Sequence, residues 1–396
     1  MWLYILFLHI AALFNAKARK LVDGEKKALD CLTENIDKNA RYIWFHAASV
    51  GEFEQARPII EKIKEEGQNT KYKVLLTFFS PSGYELRKNY KGADLVCYLP
   101  FATRHNAKRF LDIVKPVEAV FVKYEFWPAY LKELKHRDIP TYIIAAVFRQ
   151  KQLFFKWYGY WYRRLLHCFT TLFVQDDASK QLLADYGINN VIVAGDPRFD
   201  RVAEIAKQSK EDAVLEAFSP QIIAGSTWQP DEKLLLRFFR EHKDLRLMIV
   251  PHELDKNHLN SLKKELGNEM IFYTEATIDN VKLCRCLVLN TMGMLSSAYR
   301  YGKIAYIGGG FGVGIHNTLE AAVYGMPVVF GPSYRKFREA KDLISCGGGF
   351  SVCNYEELKK VFDTLLVDCQ SAGKQAGDYV AAHSGATERI LEIIII

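Results

Sequence analysis

Short, continuous apolar runs recur along the first half of the chain, separated by stretches whose apolar residues repeat at helical spacing. The runs at 42–48 (YIWFHAA), 73–79 (KVLLTFF), 94–100 (DLVCYLP), 119–124 (AVFVKY), 141–148 (TYIIAAVF), 171–175 (TLFVQ) and 191–195 (VIVAG) read as strands. They are continuous rather than alternating, which is the pattern of strands buried on both faces. With amphipathic helices between most of them, the pattern predicts parallel sheet covered by helices on both sides.

Residues 197–220 are rich in charge and bracketed by Pro197 and Pro220, and read as a crossing between domains. The pattern then restarts with runs at 221–227, 245–252, 270–274, 284–290, 303–310 and 326–332. A chain of 396 residues exceeds the roughly 250–300 at which single cores stop growing. The predicted class is therefore α/β: two doubly wound, Rossmann-like domains, residues 21–205 and 206–396, facing a central cleft with ligands at the carboxyl ends of the strands. No repeat of 20–50 residues is visible, and the terminal LEIIII has no reading from the sequence.

Residues 1–20 stand apart. About 14 largely apolar residues precede Lys17, Arg19 and Lys20, too few against the ~20 that cross a bilayer. No basic stretch precedes them and no small-residue cleavage site follows, which argues against a cleaved signal. The segment reads as a monotopic membrane anchor with Trp2, Tyr4, Leu6, Phe7 and Leu13 in the lipid interface, favoured over a helix packed on the protein's own surface.

Composition changes this picture little. Apolar residues make up 49% and charged residues 25%, and the net charge of +7 is too small for this length to argue for nucleic acid. The eight cysteines are scattered without a C-x-x-C pair, so they read as reduced thiols of a cytosolic protein rather than as disulfides or a zinc site.

Candidate chemistry gathers at predicted strand ends. The stretch 307–332 (IGGGFGVGIHNTLEAAVYGMPVVFGP) reads as a strand, a glycine-rich loop, a helix opening at His316 or Asn317, and another strand. Gly308, Gly309, Gly310 and Gly314 permit close approach of backbone N–H groups to phosphate, although the spacing is not that of a dinucleotide fold. Asn317 and Glu320 also have the spacing of a helix-capping pair. Ser226 and Thr227 end a strand before a helix beginning near Pro230; capping is the simpler reading and phosphate binding the alternative. His252 ends the next strand, where a lone histidine is more often structural.

Ser49 and Glu52 (HAASVGEFEQARP, 46–58) have capping-box spacing, so the local reading is a helix cap. Pro58 predicts a bend or a regular helix start near Arg57, with Glu52 in an irregular turn, a position suited to a general base. Glu125 (VKYEFWPAYL) follows another strand end and also suits a helix start before Pro128. Residues 148–167 interleave Arg149, Lys151, Lys156, Arg163 and Arg164 with eight aromatic residues and no acid. That mixture suits a membrane interface or an anionic amphiphile, and also single-stranded nucleic acid. The bland alternative is a helix with a buried aromatic stripe and a solvated basic face. Beside the amino-terminal segment, lipid is the favoured partner.

Six ordered stretches, WFHAASVGEFEQARPII, FVKYEFWPAYL, VAGDPRFDR, IAGSTWQPDE, IVPHE and GGGFGVGIHNTLEAAVYGMPVVFGP, together with the apolar amino terminus, resemble the 3-deoxy-D-manno-octulosonic acid (Kdo) transferases. These are GT-B glycosyltransferases of lipopolysaccharide biosynthesis. The resemblance implies inverting transfer of Kdo from CMP-Kdo to the lipid A precursor (lipid IVA), at the cytoplasmic face of the bacterial inner membrane, with no metal or other cofactor and no nucleic-acid partner. It implies Glu52 as general base, Glu125 as a second functional acid, and Ser226, Thr227, His252 and the loop Gly308–Glu320 on the CMP side, with Glu320 accepting from ribose hydroxyls. The chain departs from the family in PHELDK, where P-R-H-P-E is common, and in Ile315, where a glycine is common. Alternatives are another enzyme of the same architecture, such as a sugar-nucleotide epimerase, and a non-enzymatic protein that only binds acidic lipid.

Overall fold

A computed structural model describes residues 2–66, 72–208, 210–312 and 314–394, without the side chains of 2–6 and 66. The chain forms two units, Met1–Arg201 with Gly385–Ile396, and Val202–Ser384.

The first unit is built on seven parallel strands, β1 (Arg41–Ala47), β2 (Tyr72–Phe78), β3 (Leu95–Tyr98), β4 (Glu118–Val122), β5 (Thr141–Ala146), β6 (Thr171–Val174) and β7 (Val191–Val193), in the order β3-β2-β1-β4-β5-β6-β7. Their continuous apolar sequences follow from burial on both faces. On one face Trp44 meets Phe110, Phe121 and Tyr130 with ring centroids 4.6, 5.1 and 5.6 Å apart. On the other, Phe45 and Val120 pack with Phe53, Ile59 and Ile63 of the helix Val50–Glu66.

The terminal apolar tail belongs to this second face. Ile390 and Ile394 are fully buried in the same cluster. Asp200 accepts from the N–H of Thr387 at 2.6 Å and from its hydroxyl at 2.7 Å, and Arg389 donates to the Ala194 carbonyl at 3.0 Å. Residues 385–394, assigned by sequence pattern to the second domain, thus pack on the first.

The second unit repeats the plan with β8 (Ile222–Thr227), β9 (Leu247–Pro251), β10 (Met270–Phe272), β11 (Cys286–Val288), β12 (Ile304–Ile307), β13 (Val328–Phe330) and β14 (Gly349–Ser351), in the order β10-β11-β9-β8-β12-β13-β14, all parallel. In each sheet the chain switches from one side of its first strand to the other, at β1/β4 and at β8/β12. Such switch points open a crevice at the carboxyl ends of the strands, where ligands bind in open α/β sheets.

Two expectations change. Residues 148–167 do not form one striped helix; they fold as short turns, Leu153–Phe155, Trp157–Gly159, Tyr160–Arg163 and Arg164–Cys168. Gly159 is the reason for the compactness, because a side chain there would collide with the Leu153 carbonyl. The amino-terminal segment is also broken: Asn15 ends the helix Trp2–Phe14 and caps the helix Ala16–Asn35 by accepting from Lys17 N–H at 2.8 Å. Phe7 and Leu13 are exposed, whereas the side chains of Trp2, Tyr4 and Leu6 lie outside the described residues. No helix among the described residues is long and apolar enough to cross a membrane.

Candidate active site

In the first unit both predicted acids sit at the β1/β4 switch point. Glu52 is not in an irregular turn, as Pro58 suggested. The helix runs unbroken from Val50 to Glu66 with Pro58 inside it, because buried Phe53, Ile59, Ile60 and Ile63 hold both halves against the sheet and compensate for the missing N–H. Ser49 Oγ accepts from Glu52 N–H at 3.4 Å, and Glu52 Oε2 accepts from Ala48 N–H at 2.6 Å. Glu52 is therefore part of the helix start, its carboxyl facing the Ala48 and Ser49 N–H groups. Burial, and next the charge of Glu125, push its carboxyl up to about 7 against the opposing pull of Ala48 N–H, the Lys123 ammonium and Ser49 N–H.

Glu125 is held more tightly. Its Oε2 accepts from the Trp127 indole at 2.6 Å and lies 3.1 Å from His46 Nε2. His46 Nδ1 is 2.9 Å from Thr77 Oγ1, which also accepts from the Trp44 indole at 2.8 Å. The Thr77 hydroxyl also reaches the Phe45 carbonyl as a donor at 3.3 Å; opposite the Glu125 carboxylate, which only accepts, it is an Nε2–H of His46 that donates. His46 and Thr77 are fully buried, so this chain fixes the position of Glu125. Beside the Trp127 wall, a groove of about 1130 Å³ runs along Phe101, Ala102, Arg104, His105, Pro128 and Lys132.

In the second unit, the structure brings Ser226, Thr227, His252, Gly308–Gly310 and His316 together at the β8/β12 switch point. Neither Ser226 nor Thr227 caps the next helix. Trp228 occupies the cap position, its N–H donating to Asp231 Oδ2 at 2.9 Å, while Thr227 Oγ1 donates to Glu232 at 2.8 Å. Ser226 takes a left-handed backbone, φ 53°. A side chain on Gly308 would collide with the Ser226 carbonyl, so glycine is required for the close approach of the two strand ends. Gly309, at φ 86°, donates its N–H to Asp231 Oδ2 at 2.9 Å, and Tyr306 donates its hydroxyl to Oδ1 at 2.8 Å.

His252 stacks with both Trp228 and His316, with centroids 4.8 and 4.3 Å away and interplanar angles of 29° and 28°. The Trp228 indole donates to His316 Nε2 at 3.2 Å. Burial, then the neighbouring His252, lower the His316 imidazole below its ordinary value. The helix expected to open at His316 or Asn317 begins at Leu319 and is short, Leu319–Ala322. The Asn317–Glu320 pair is not a reciprocal cap either: Asn317 Nδ2 donates to Glu320 Oε1 at 3.0 Å and Ser296 Oγ to Oε2 at 2.7 Å. Gly314 has φ 124°, a conformation reserved for glycine.

Of the basic residues at 148–167, Arg163 is committed to the fold, donating to the Phe154 carbonyl at 3.0 Å and lying 4.7 Å from the Tyr186 ring. Arg149, Lys151 and Arg164 are exposed and Lys156 partly so. They accompany Trp157 and Trp161, which are 91% and 77% exposed. His46, Thr77, Trp127, Trp228 and Asp231 were not singled out from sequence; their signal was only that each lies within five residues of a strand end.

Residues 24–201 match the family described as 3-deoxy-D-manno-octulosonic-acid transferase (kdotransferase). The chain is 28% identical over 332 residues to the 3-deoxy-D-manno-octulosonic acid transferase of Aquifex aeolicus, covering 82% of this chain and 86% of that one. It is 25% identical over 376 residues to the enzyme of the same name from Haemophilus influenzae, covering 89% and 86%. Among solved structures, it resembles UDP-GlcNAc 2-epimerase from Neisseria meningitidis with a TM-score of 0.61 and 16% identity, over 89% of this chain and 99% of that one. MurG from Acinetobacter baumannii matches with a TM-score of 0.54 and 14% identity, over the same shares. The structural likenesses show the GT-B fold; the sequence likenesses to Kdo transferases extend over 82–89% of the chain and support that family.

Proposed function

We propose that the protein transfers Kdo from CMP-Kdo to a sugar hydroxyl of the lipid A precursor, with inversion at the anomeric carbon. In that displacement the acceptor oxygen bonds to the anomeric carbon as the bond to the CMP phosphate breaks. The hydroxyl must lose a proton and the departing phosphate gains negative charge, so a base and an anion-stabilising loop are both required. The observation that carries the reading is Glu52: a half-buried carboxyl at a switch point, beside the like charge of Glu125 and pushed up to about 7.

Glu125 supports this as a fixed negative charge that raises the proton affinity of Glu52. In the second unit, Ser226, Thr227, His252, the glycines from Gly308 to Gly314, His316 and Asn317 form the CMP site, and Glu320 exchanges Ser296 and Asn317 for ribose hydroxyls. The groove beside Trp127 fits a phosphorylated amphiphile, with apolar Phe101, Ala102 and Pro128 and cationic Arg104 and Lys132. Exposed Phe7 and Leu13 in the amino-terminal helix, and exposed Trp157 and Trp161 in the segment that carries Arg149, Lys151, Lys156 and Arg164, support docking on an anionic membrane surface, the inner membrane's cytoplasmic face in this reading. The test is mass spectrometry of a tetraacylated lipid A precursor incubated with the protein and CMP-Kdo. A Kdo adduct is expected; an unchanged lipid overturns the reading.

A further inference from the structure

A second polar cluster lies one helical turn from Glu52. Gln55, three residues on and fully buried, donates to Asp196 Oδ2 at 3.1 Å. The same oxygen accepts from Gln175 at 3.0 Å and from Arg198 through Nε at 3.0 Å and a terminal nitrogen at 2.9 Å. Against the burial that pushes it up, Arg198 foremost and Lys123 as well hold the Asp196 carboxyl below its ordinary range. Asp196 is thus fully used by its partners. Gln55 Oε1, by contrast, is buried without a donor.

Lys123 sits at the end of β4, two residues before Glu125. Its backbone is left-handed, φ 58°, which is uncommon for a residue with a side chain. The strain is held in place by its N–H, which donates to the Ile144 carbonyl at 2.9 Å, next to Ala145 at φ 54° on β5. Strained residues of this kind persist where the surroundings over-determine them, and they concentrate at functional sites. The ammonium acts electrostatically on both Glu52 and Asp196, which places its charge within reach of both acids. It makes no ion pair or side-chain hydrogen bond with any described residue. A half-buried cation at a strand end, acting on Glu52 and Asp196 through its field but hydrogen-bonded to neither, keeps its three donors for an incoming anion.

We propose that Lys123 is a substrate-binding residue whose ammonium pairs with an oxyanion, carboxylate or phosphate, of the molecule being processed at Glu52. The assignment rests on the transfer reading. Kdo carries its carboxylate on the carbon that the hydroxyl attacks, so a base positioned for that hydroxyl has the carboxylate close by. A phosphate of the lipid acceptor is the other source of the same chemistry. Lysine suits either, as a compact charge with three rotatable donors.

The test is steady-state kinetics of Lys123→Gln, Lys123→Arg and Lys123→Asn, varying CMP-Kdo and the lipid acceptor separately. Asparagine tolerates the left-handed backbone and serves if the glutamine variant fails to fold. Loss of a charge-assisted hydrogen bond predicts a KM raised about 10- to 100-fold for one substrate, with a smaller change in kcat and partial recovery in Lys123→Arg. A raised KM for CMP-Kdo identifies the carboxylate, and for the acceptor, its phosphate. Unchanged KM values with only the acid limb of the pH–rate profile displaced would overturn the proposal, since Lys123 would then act on Glu52 alone. A parent protein without turnover would overturn the transfer reading itself, and this assignment with it.

Discussion

Glu52 follows β1 and Asp231 follows β8, corresponding places at the switch points of the two sheets, yet the chain treats the two carboxyls in opposite ways. Asp231 receives the N–H groups of Trp228 and Gly309 and the hydroxyl of Tyr306, so its lone pairs tie the glycine loop to the helix start. Its neighbour Glu232 is likewise taken, by Thr227 and His258. From the described residues Glu52 receives backbone N–H groups alone, Ala48 at 2.6 Å and Ser49, and it lies within the field of Glu125. A carboxyl that ties several elements together is a scaffold; one that is desolvated and crowded by a like charge is suited to proton transfer.

Substitutions that break each side of this comparison should fail in different ways. The largest effect is expected for Glu52→Gln, which keeps the shape and removes the basic group: kcat/KM should fall about 10²- to 10⁴-fold while CMP affinity, by calorimetry, stays within about twofold. Asp231→Ala should instead act on stability. It leaves buried donors without an acceptor and should lower the unfolding free energy by about 3 kcal/mol or more in a urea titration, with CMP affinity lost as well.

Glu25 sharpens the contrast from a third direction, being 3% exposed with neither oxygen hydrogen-bonded among the described residues. Burial pushes its carboxyl up to about 9. The folded chain therefore keeps a proton that the unfolded chain releases, and stability is lost as pH rises from the unfolded value of 4.5 towards 9. Glu25→Gln should be the more stable protein at about pH 8, by about 1 kcal/mol or more, or ~2–4 °C in Tm per kcal/mol. The difference should vanish below the unfolded value.

The sequence was most legible where one local property decided the outcome. Continuous apolar runs located β1 through β13, whereas β14, only Gly349–Ser351 and flanked by further glycines, offers no run to read. The helix from Val50 was misread because local logic lets Pro58 break it, while burial of Ile59, Ile60 and Ile63 overrides that preference. The return of residues 385–394 to the first unit depends on Asp200 meeting Thr387, far away along the chain. The same limit applies to the site. Glu52 and Glu125 stand out as acids at strand ends, but the line from Glu125 through His46 to Thr77 exists only because β4, β1 and β2 are neighbours in the sheet.

The central claim is that Glu52 is the group that gains the proton. It is tested most directly by kcat/KM from about pH 5 to 9 for the parent and Glu52→Gln, with the lipid product followed by mass spectrometry. For a base whose carboxyl lies at about 7, the parent rate should rise about tenfold per pH unit below that point and level above it, and the variant should lose both the rate and this limb. A variant that turns over at the parent rate with the same limb would contradict the account.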